Sequence, residues 1–236
     1  MLSNDPKYQD AVRKNMYESY YLDVLPINHQ NFLEKLKNEY FFVPNICYDI
    51  GSSVLHWTRH AERVWENTEV ILFDAFSPYE RLYKGYKYHI GVLSNENDKI
   101  VKFYQNDFLF GGNSYYREIG YDNVSVFPEN NFLEKKTKTI DSIVAEKHFP
   151  YPDLIKIDVQ GSELDIIKGA TNVLQNVKYL IVELQNVEYN HGAPLCDVTI
   201  SYLNSIGFKC IAEKFSDNGP DADYCFINTK FIRIEY

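Results

Sequence analysis

Four carboxylates, Asp49, Asp74, Asp158 and Glu183, each close a short apolar run, in "ICYDIG", "EVILFDAF", "DLIKIDVQGSE" and "VKYLIVELQ". An ionised carboxylate in the middle of such a run would be buried at large cost, whereas one at its end can face a hydrated crevice or a partner charge. Carboxylates so placed can hold a cation, accept hydrogen bonds from paired ribose hydroxyls, or take the proton of a hydroxyl that is being modified. One acid at the end of one run is commonplace. Four in register point to a shared site.

They share an edge only if the runs are neighbouring strands. The intervening segments read as helices: "HWTRHAERVWE", "SPYERLYKG" with Ser77 as cap, Pro78 in its first turn and Gly85 at its end, "TIDSIVAEKH", and "LCDVTISYLNSIG". "YKYHIGVLS" reads as a third strand, "KIVKFYQ" as an exposed hairpin strand, and "FKCIAEKF" and "ADYCFIN" as two closing strands. Residues 106–123 carry three glycines and little periodicity and are expected to form a loop. Strands alternating with helices predict an α/β sheet with helices on both faces, its central strands parallel and covered on both sides. In such sheets ligands bind outside the carboxyl ends of the strands, where the four acids stand.

The turn "DIGSS" narrows the ligand. A dinucleotide fingerprint wants G-x-G-x-x-G, yet Ser53 and Leu55 stand where further glycines would be expected. Asp49, just before the turn, would repel a pyrophosphate and attract a cation. S-adenosylmethionine carries both an ammonium and a sulfonium. Asp74, 23 residues after Gly51, is spaced to accept both hydroxyl protons of a ribose. An adenosyl-sulfonium cofactor therefore fits better than NAD.

With these residues in view, "YDIGSS", "LFDAF", "GVLSNE", "GGNS" and above all "DLIKIDVQGSELDIIKGA" resemble the FkbM-type S-adenosylmethionine-dependent methyltransferases. The most specific piece is K-I-D-V-x-G-x-E followed by a helix with G-A: Lys156, Ile157, Asp158, Val159, Gly161, Glu163, Gly169 and Ala170. The glycine-rich turn departs from the family's D-V-G-A-N-x-G at Ser53 and Leu55. The resemblance runs from about Ile46 to Asn228, leaving residues 1–40 as a helical extension packed over a sheet edge and 41–236 as the methyltransferase domain. It implies a class I methyltransferase sheet, Rossmann-like, with seven mostly parallel strands and an antiparallel last hairpin. It also implies that Asp49, Gly51 and Ser52 line the methionine part of the cofactor and that Asp74 holds the ribose. Ser114 of "GGNS" would lie over the cofactor and Ser94 near the adenine edge. Members commonly O-methylate sugars or other small hydroxylated metabolites.

For transfer to oxygen, the acceptor hydroxyl needs a base or a metal. Asp158 is the first candidate base and His191, in "NHGAP", the second. Asp158, Glu183 and His191 also compose a ligand set suited to Mg, Mn or Fe. His56, at the start of a helix, reads as packing or capping. Lys156 reads as the partner of a carboxylate, and Glu163 as a favourable first-turn charge. The expected activity is methylation of a sugar hydroxyl, on a nucleotide-linked or glycan sugar of surface (capsular) polysaccharide. The alternatives are a non-sugar metabolite as acceptor, or an adenosyl-binding module whose chemistry has lapsed.

Composition sets the outer bounds. A net charge of −9 argues against nucleic acid as a partner, since cations are needed to displace phosphate counterions. Cys47, Cys196, Cys210 and Cys225 form no C-x-x-C pair and read as buried thiols in a reducing compartment. The polar start "MLSNDPKYQDAV" and the lack of any apolar run near the roughly 20 residues of a membrane span predict a soluble, cytoplasmic protein. A small-molecule substrate is expected, and a homodimer is compatible with this reading.

Overall fold

In a computed structural model, residues 5–22, 24–119, 126–217 and 219–232 are described. The distal part of the glycine-bearing loop, 120–123, lies outside them. Strands β1 (Ile46–Ile50), β2 (Glu69–Asp74), β3 (Lys87–Ile90), β7 (Leu154–Ile157), β8 (Tyr179–Gln185), β9 (Phe208–Asp217) and β10 (Asp221–Asn228) form one sheet in the order β3-β2-β1-β7-β8-β10-β9. The first five of these run parallel, and β10 runs antiparallel to both neighbours. The expected seven-stranded, mostly parallel α/β sheet with its reversed last hairpin is therefore present.

Two features were not anticipated. "YKYHIGVLS" breaks at Gly91, so that β4 (Val92–Leu93) leaves the main sheet for a small second one, with β6 (Leu133–Lys138) between it and β5 (Ile100–Phe103). Strand β6, "LEKKTK", is too polar to read as a strand, because only Thr137 of it is buried. In addition, "SPYERLYKG" forms a 3₁₀ turn over Ser77–Arg81 rather than a full helix.

Alternate strand residues point to opposite faces and build two cores. On one face Tyr48, Ile50, Ile155 and Ile157 pack against α4 (Ile140–Lys147), α5 (Glu163–Lys168) and α6 (Cys196–Ser205). On the other, Cys47, Leu72, Leu154 and Ile181 pack against α1 (Pro6–Tyr21), α2 (Ile27–Asn38) and α3 (His56–Val64). Asp5 caps α1 by accepting the Lys7 N–H at 3.0 Å, and Pro6 occupies the first turn. Helix α2 begins at Ile27, directly after Pro26.

The two N-terminal helices thus share a core with the sheet: Leu33 and Leu36 have no exposed surface. Replacing Leu36 by Ala should cost about 2–5 kcal/mol in a urea titration, the range for a large-to-small change in a packed core. A detachable appendage would show none of that loss. Among the described residues no helix is long and apolar enough to cross a membrane.

Candidate active site

The carboxyl ends of β1 and β7 cross at backbone contact. Gly51 takes φ +79°, and a Cβ added there would fall 1.7 Å from the Asp158 carbonyl oxygen. The Asp158 N–H donates to Ile50 O at 3.0 Å and holds the crossing. The rest of the turn keeps the shape of a glycine-rich loop without the glycines: Ser53 and Leu55 both have positive φ, 46° and 67°. Left-handed backbone costs a side-chain-bearing residue about 1–2 kcal/mol, so the surroundings must hold this shape. They do so through Ser53, whose N–H donates to Asp74 Oδ2 at 2.9 Å and whose carbonyl accepts from Tyr83. Leu55 is buried.

Below the turn lies Lys156, 4% exposed. Its ammonium is 3.2 Å from Asp158 Oδ2 and 3.4 Å from Asp49 Oδ1, and it donates to Gly51 O at 3.1 Å. Burial alone would lower its pKa, but the carboxylates of Asp158 and Asp49 outweigh that and raise it above the ordinary lysine range. Asp49 is fully buried, accepts from Thr58 Oγ1 at 2.5 Å, and so ties the turn to the start of α3. Asp49 therefore stands behind the wall of the site rather than in it. Ser52 spends its hydroxyl on Asp49 O, at 2.6 Å, and accepts the Phe73 N–H at 3.1 Å.

Asp158 and Glu183 form an acid pair with opposite tendencies. Burial works against the Asp158 charge, yet Lys156 and the Glu183 carboxyl hold its pKa below the usual range. Burial, and then the charge of Asp158, push Glu183 well above it. One proton therefore resides on Glu183 and the negative charge on Asp158. Gln160 bridges the two, at 3.3 Å to Asp158 Oδ1 and 2.9 Å to Glu183 Oε2. Glu163 fixes the turn between them, its Oε1 accepting the N–H groups of Val159 (3.1 Å) and Gly161 (3.0 Å). That is a firmer role than a favourable helix charge.

Two cavities open on this edge. The larger, about 280 Å³, is lined by Gly51, Asp74, Ser114, Asp158 and Glu183, with apolar walls that include Phe73, Leu93, Phe103 and Ile166. Asp74 presents a carboxyl whose oxygens accept one backbone N–H each, from Ser53 and from Phe76 (2.8 Å), leaving lone pairs toward the space. Burial is the main reason its pKa rises, to about 6. Ser114 lines the cavity and its hydroxyl accepts the Tyr116 N–H. Ser94 is buried one residue beyond the lining, 3.3 Å from Tyr115. The second cavity, about 200 Å³, meets the first at Gly51, Ser53, Asp158 and Glu183 and extends under the turn joining α1 to α2.

His191 does not join this edge. Its side chain is 70% exposed, pairs with Glu188 at 3.0 Å, and lines neither cavity. Its loop turns outward where Gln185 ties down the backbone of Tyr189, Asn190 and Ala193. The Asp158, Glu183 and His191 metal set is thus not assembled, and the charge of Asp158 is already met by Lys156. Among the described residues no cluster of three or more His, Cys, Asp or Glu side chains is placed to hold a metal. His56, as expected, packs: its Nε2 hydrogen-bonds Ser19 O at the end of α1.

Sequence reasoning passed over His29. It is 3% exposed and stands between Trp57, whose indole N–H donates to Nε2 at 2.7 Å, and Asp223, 3.0 Å from Nδ1. No local signal marks it, because its partners lie 28 and 194 residues away.

The chain resembles known methyltransferases in sequence and in fold. A 49-residue stretch is 45% identical to the hexuronic acid methyltransferase AglP of Haloferax volcanii, covering 21% of this chain and 20% of that protein. Among solved structures, a methyltransferase FkbM from Methylobacillus flagellatus KT aligns over 93% of this chain and 57% of its own, at 13% identity and TM-score 0.49. An O-methyltransferase family protein from Burkholderia thailandensis aligns over 96% and 61%, at 8% identity and TM-score 0.50. In each case this chain matches less than two thirds of the other protein's length. The methyltransferase FkbM domain model matches residues 45–210, from the strand that carries Asp49 through those that carry Asp158 and Glu183. With that match over most of its length, the chain belongs to the FkbM methyltransferase family and its sheet is that of a class I methyltransferase.

Proposed function

We propose that this protein transfers a methyl group from S-adenosylmethionine to a hydroxyl of a sugar, nucleotide-linked or part of a glycan, in the assembly of a surface polysaccharide. The observation that carries the reading is the meeting of the two cavities at Gly51 and the Asp158–Glu183 pair, with Asp74 in the larger one. The sugar part rests on the stretch shared with a hexuronic acid methyltransferase. When bound, the cofactor supplies an electrophilic methyl group on a sulfonium centre. Asp74 would accept the ribose hydroxyls, the backbone beside Gly51 would receive the amino-acid end, and the apolar walls would take the adenine. Asp49 acts at one remove, by fixing Lys156.

Asp158 accepts a hydrogen bond from the acceptor hydroxyl and aims its oxygen at the junction. Orientation of this kind can supply about 7–11 kcal/mol of a barrier. A carboxylate with a lowered pKa is a weak base, yet it suffices here. As the oxygen bonded to the methyl carbon and the methyl–sulfur bond broke, leaving S-adenosylhomocysteine, the hydroxyl proton would become far more acidic than a carboxylic acid and pass to Asp158. Lys156 keeps Asp158 ionised for that purpose, and Glu183 keeps its own proton. The shape of the turn disfavours a lapsed module, because Ser53 and Leu55 both hold left-handed backbone although Leu55 stands where the family pattern has its last glycine.

Calorimetric titration with S-adenosylhomocysteine tests the reading. Saturable binding is expected, weakened about 10- to 100-fold in Asp74→Ala, since hydrogen bonds to a charged group are worth about 1.5–3 kcal/mol. Absence of binding would remove the proposal. The pH dependence has a definite sign. Asp74 is ionised above about 6 in the ligand-free protein, so affinity should be level above that pH and decline as pH falls through it. Asp74→Asn should abolish the decline. Asp158→Asn should leave binding within a few-fold while lowering methyl transfer to a nucleotide-sugar acceptor about 10²–10⁴-fold. Unchanged turnover would remove Asp158 from the chemistry.

A further inference from the structure

Resting on that reading, we propose that the smaller chamber under the α1–α2 turn is the acceptor pocket, and that it selects a sugar ring that carries no carboxylate, a neutral hexose or an amino sugar, against a uronate. The first argument is position. In-line displacement needs the nucleophile to enter opposite the leaving group. The adenosine end fills the larger cavity, so the acceptor must arrive from beyond the junction at Gly51, Asp158 and Glu183. The smaller chamber is the space there.

The second argument is charge. Lys156 lines the chamber, but its ammonium is already paired with two carboxylates, Asp158 at 3.2 Å and Asp49 at 3.4 Å, so its single charge is more than met. His29 is neutral in this arrangement. An indole N–H can only donate, so Nε2 is its acceptor, and the ring proton on Nδ1 goes to Asp223. His56 has its Nε2 on Ser19 O. Against these stand the carboxylates of Asp158 and Asp223, with Asp221 close behind on the same strand. Glu183 reports the resulting field from within: after burial, the charges of Asp158, Asp221 and Asp223 are what hold its proton in place. A ligand anion would enter a space where one of the protein's own carboxyls cannot ionise. A hydroxyl or ammonium finds acceptors.

The test compares three probes, methyl glucoside, methyl glucosaminide and methyl glucuronide, by ligand-observed NMR at pH 7, with and without saturating S-adenosylhomocysteine. The glucosaminide should bind at least tenfold more tightly than the glucuronide, with the glucoside between, and Asp223→Asn should narrow that ratio at least threefold. Val24→Trp, at a chamber residue that is 56% exposed, should block all three sugars while leaving S-adenosylhomocysteine affinity within threefold. A glucuronide that binds as well as the glucosaminide overturns the proposal, as does binding of none of the three. Loss of S-adenosylhomocysteine together with the sugars in Val24→Trp would assign the chamber to the cofactor's amino-acid end instead. If the wild-type protein fails to bind S-adenosylhomocysteine, the methyltransfer reading fails separately, and the sugar ratio without it still decides the chamber.

Discussion

Gly51→Ala should leave the chain unable to hold its fold, a loss above about 4 kcal/mol and the largest expected of any single methyl group added to this protein. Left-handed backbone accounts for a small part of it, about 1–2 kcal/mol. The greater part is the collision of the new Cβ with backbone: 1.7 Å from the Asp158 oxygen and 2.8 Å from its carbonyl carbon. No side-chain rotation relieves that contact. The strand end of β7 would have to move, and with it Lys156 and Asp158. Gly161→Ala is the useful comparison. Its φ is also positive, but its nearest neighbour would be the Ala193 Cβ at 2.8 Å, a side chain rather than backbone. Urea titration of both variants should rank Gly51→Ala far below Gly161→Ala. Equal midpoints would mean that the two turns do not cross as described.

Lys156→Met should cost about 3–5 kcal/mol, because it strands two carboxylates beside an apolar side chain of similar length. The informative variant is the double one. Asp49→Asn placed in the same chain removes one of the stranded charges, and it should recover a substantial part of the loss, whereas Asp49→Asn alone should destabilise. Such sign reversal is the mark of two groups acting on each other. The pH dependence follows from the same geometry. The lysine's pKa is raised on folding, so its contribution is complete below the ordinary lysine range and is lost only as pH climbs through the raised value. Asp158 is lowered, so its contribution is present above the ordinary carboxylate range and disappears as pH falls through the lowered value. Stability in the wild type should therefore be flat with respect to this pair across neutral pH, and Lys156→Met should introduce a slope there. A slope of zero in the variant would contradict the arrangement.

Much of this architecture could be read from the chain because it depends on local patterns. Apolar runs such as "VILF" and "YLIV" can be central strands or nothing, and the acid at each end marks the edge they share. Gly51 was legible as a turn because positive φ leaves few alternatives. What stayed hidden depends on distance. Lys156 reads as the partner of a carboxylate, but only its contacts with both Asp49 and Asp158 show that it unites two strand ends. His191 looked well placed because sequence gives the position of a loop residue but not the direction its loop takes. The small second sheet escaped notice since β6 gains its order from β4 and β5 rather than from hydrophobic residues of its own. Leu55 misled in the other direction: a side chain where the family pattern has a glycine suggested a different turn, yet the left-handed backbone is there.

The pairing of His29 with Asp223 has a consequence for how the protein is made. Helix α2 leaves the ribosome well before β9 and β10, on which it is seated through the Phe32–Phe215 stack and through His29. At about 5–20 residues per second, the 194 residues between the paired groups take roughly 10–40 s to translate. For that interval the apolar face formed by Phe32, Leu33 and Leu36 can meet α3 but lacks β9, and the nascent chain must either shield the remainder or have it held. Synthesis therefore completes the strands that end in Asp49, Asp74, Asp158 and Glu183 before it can close the roof above them.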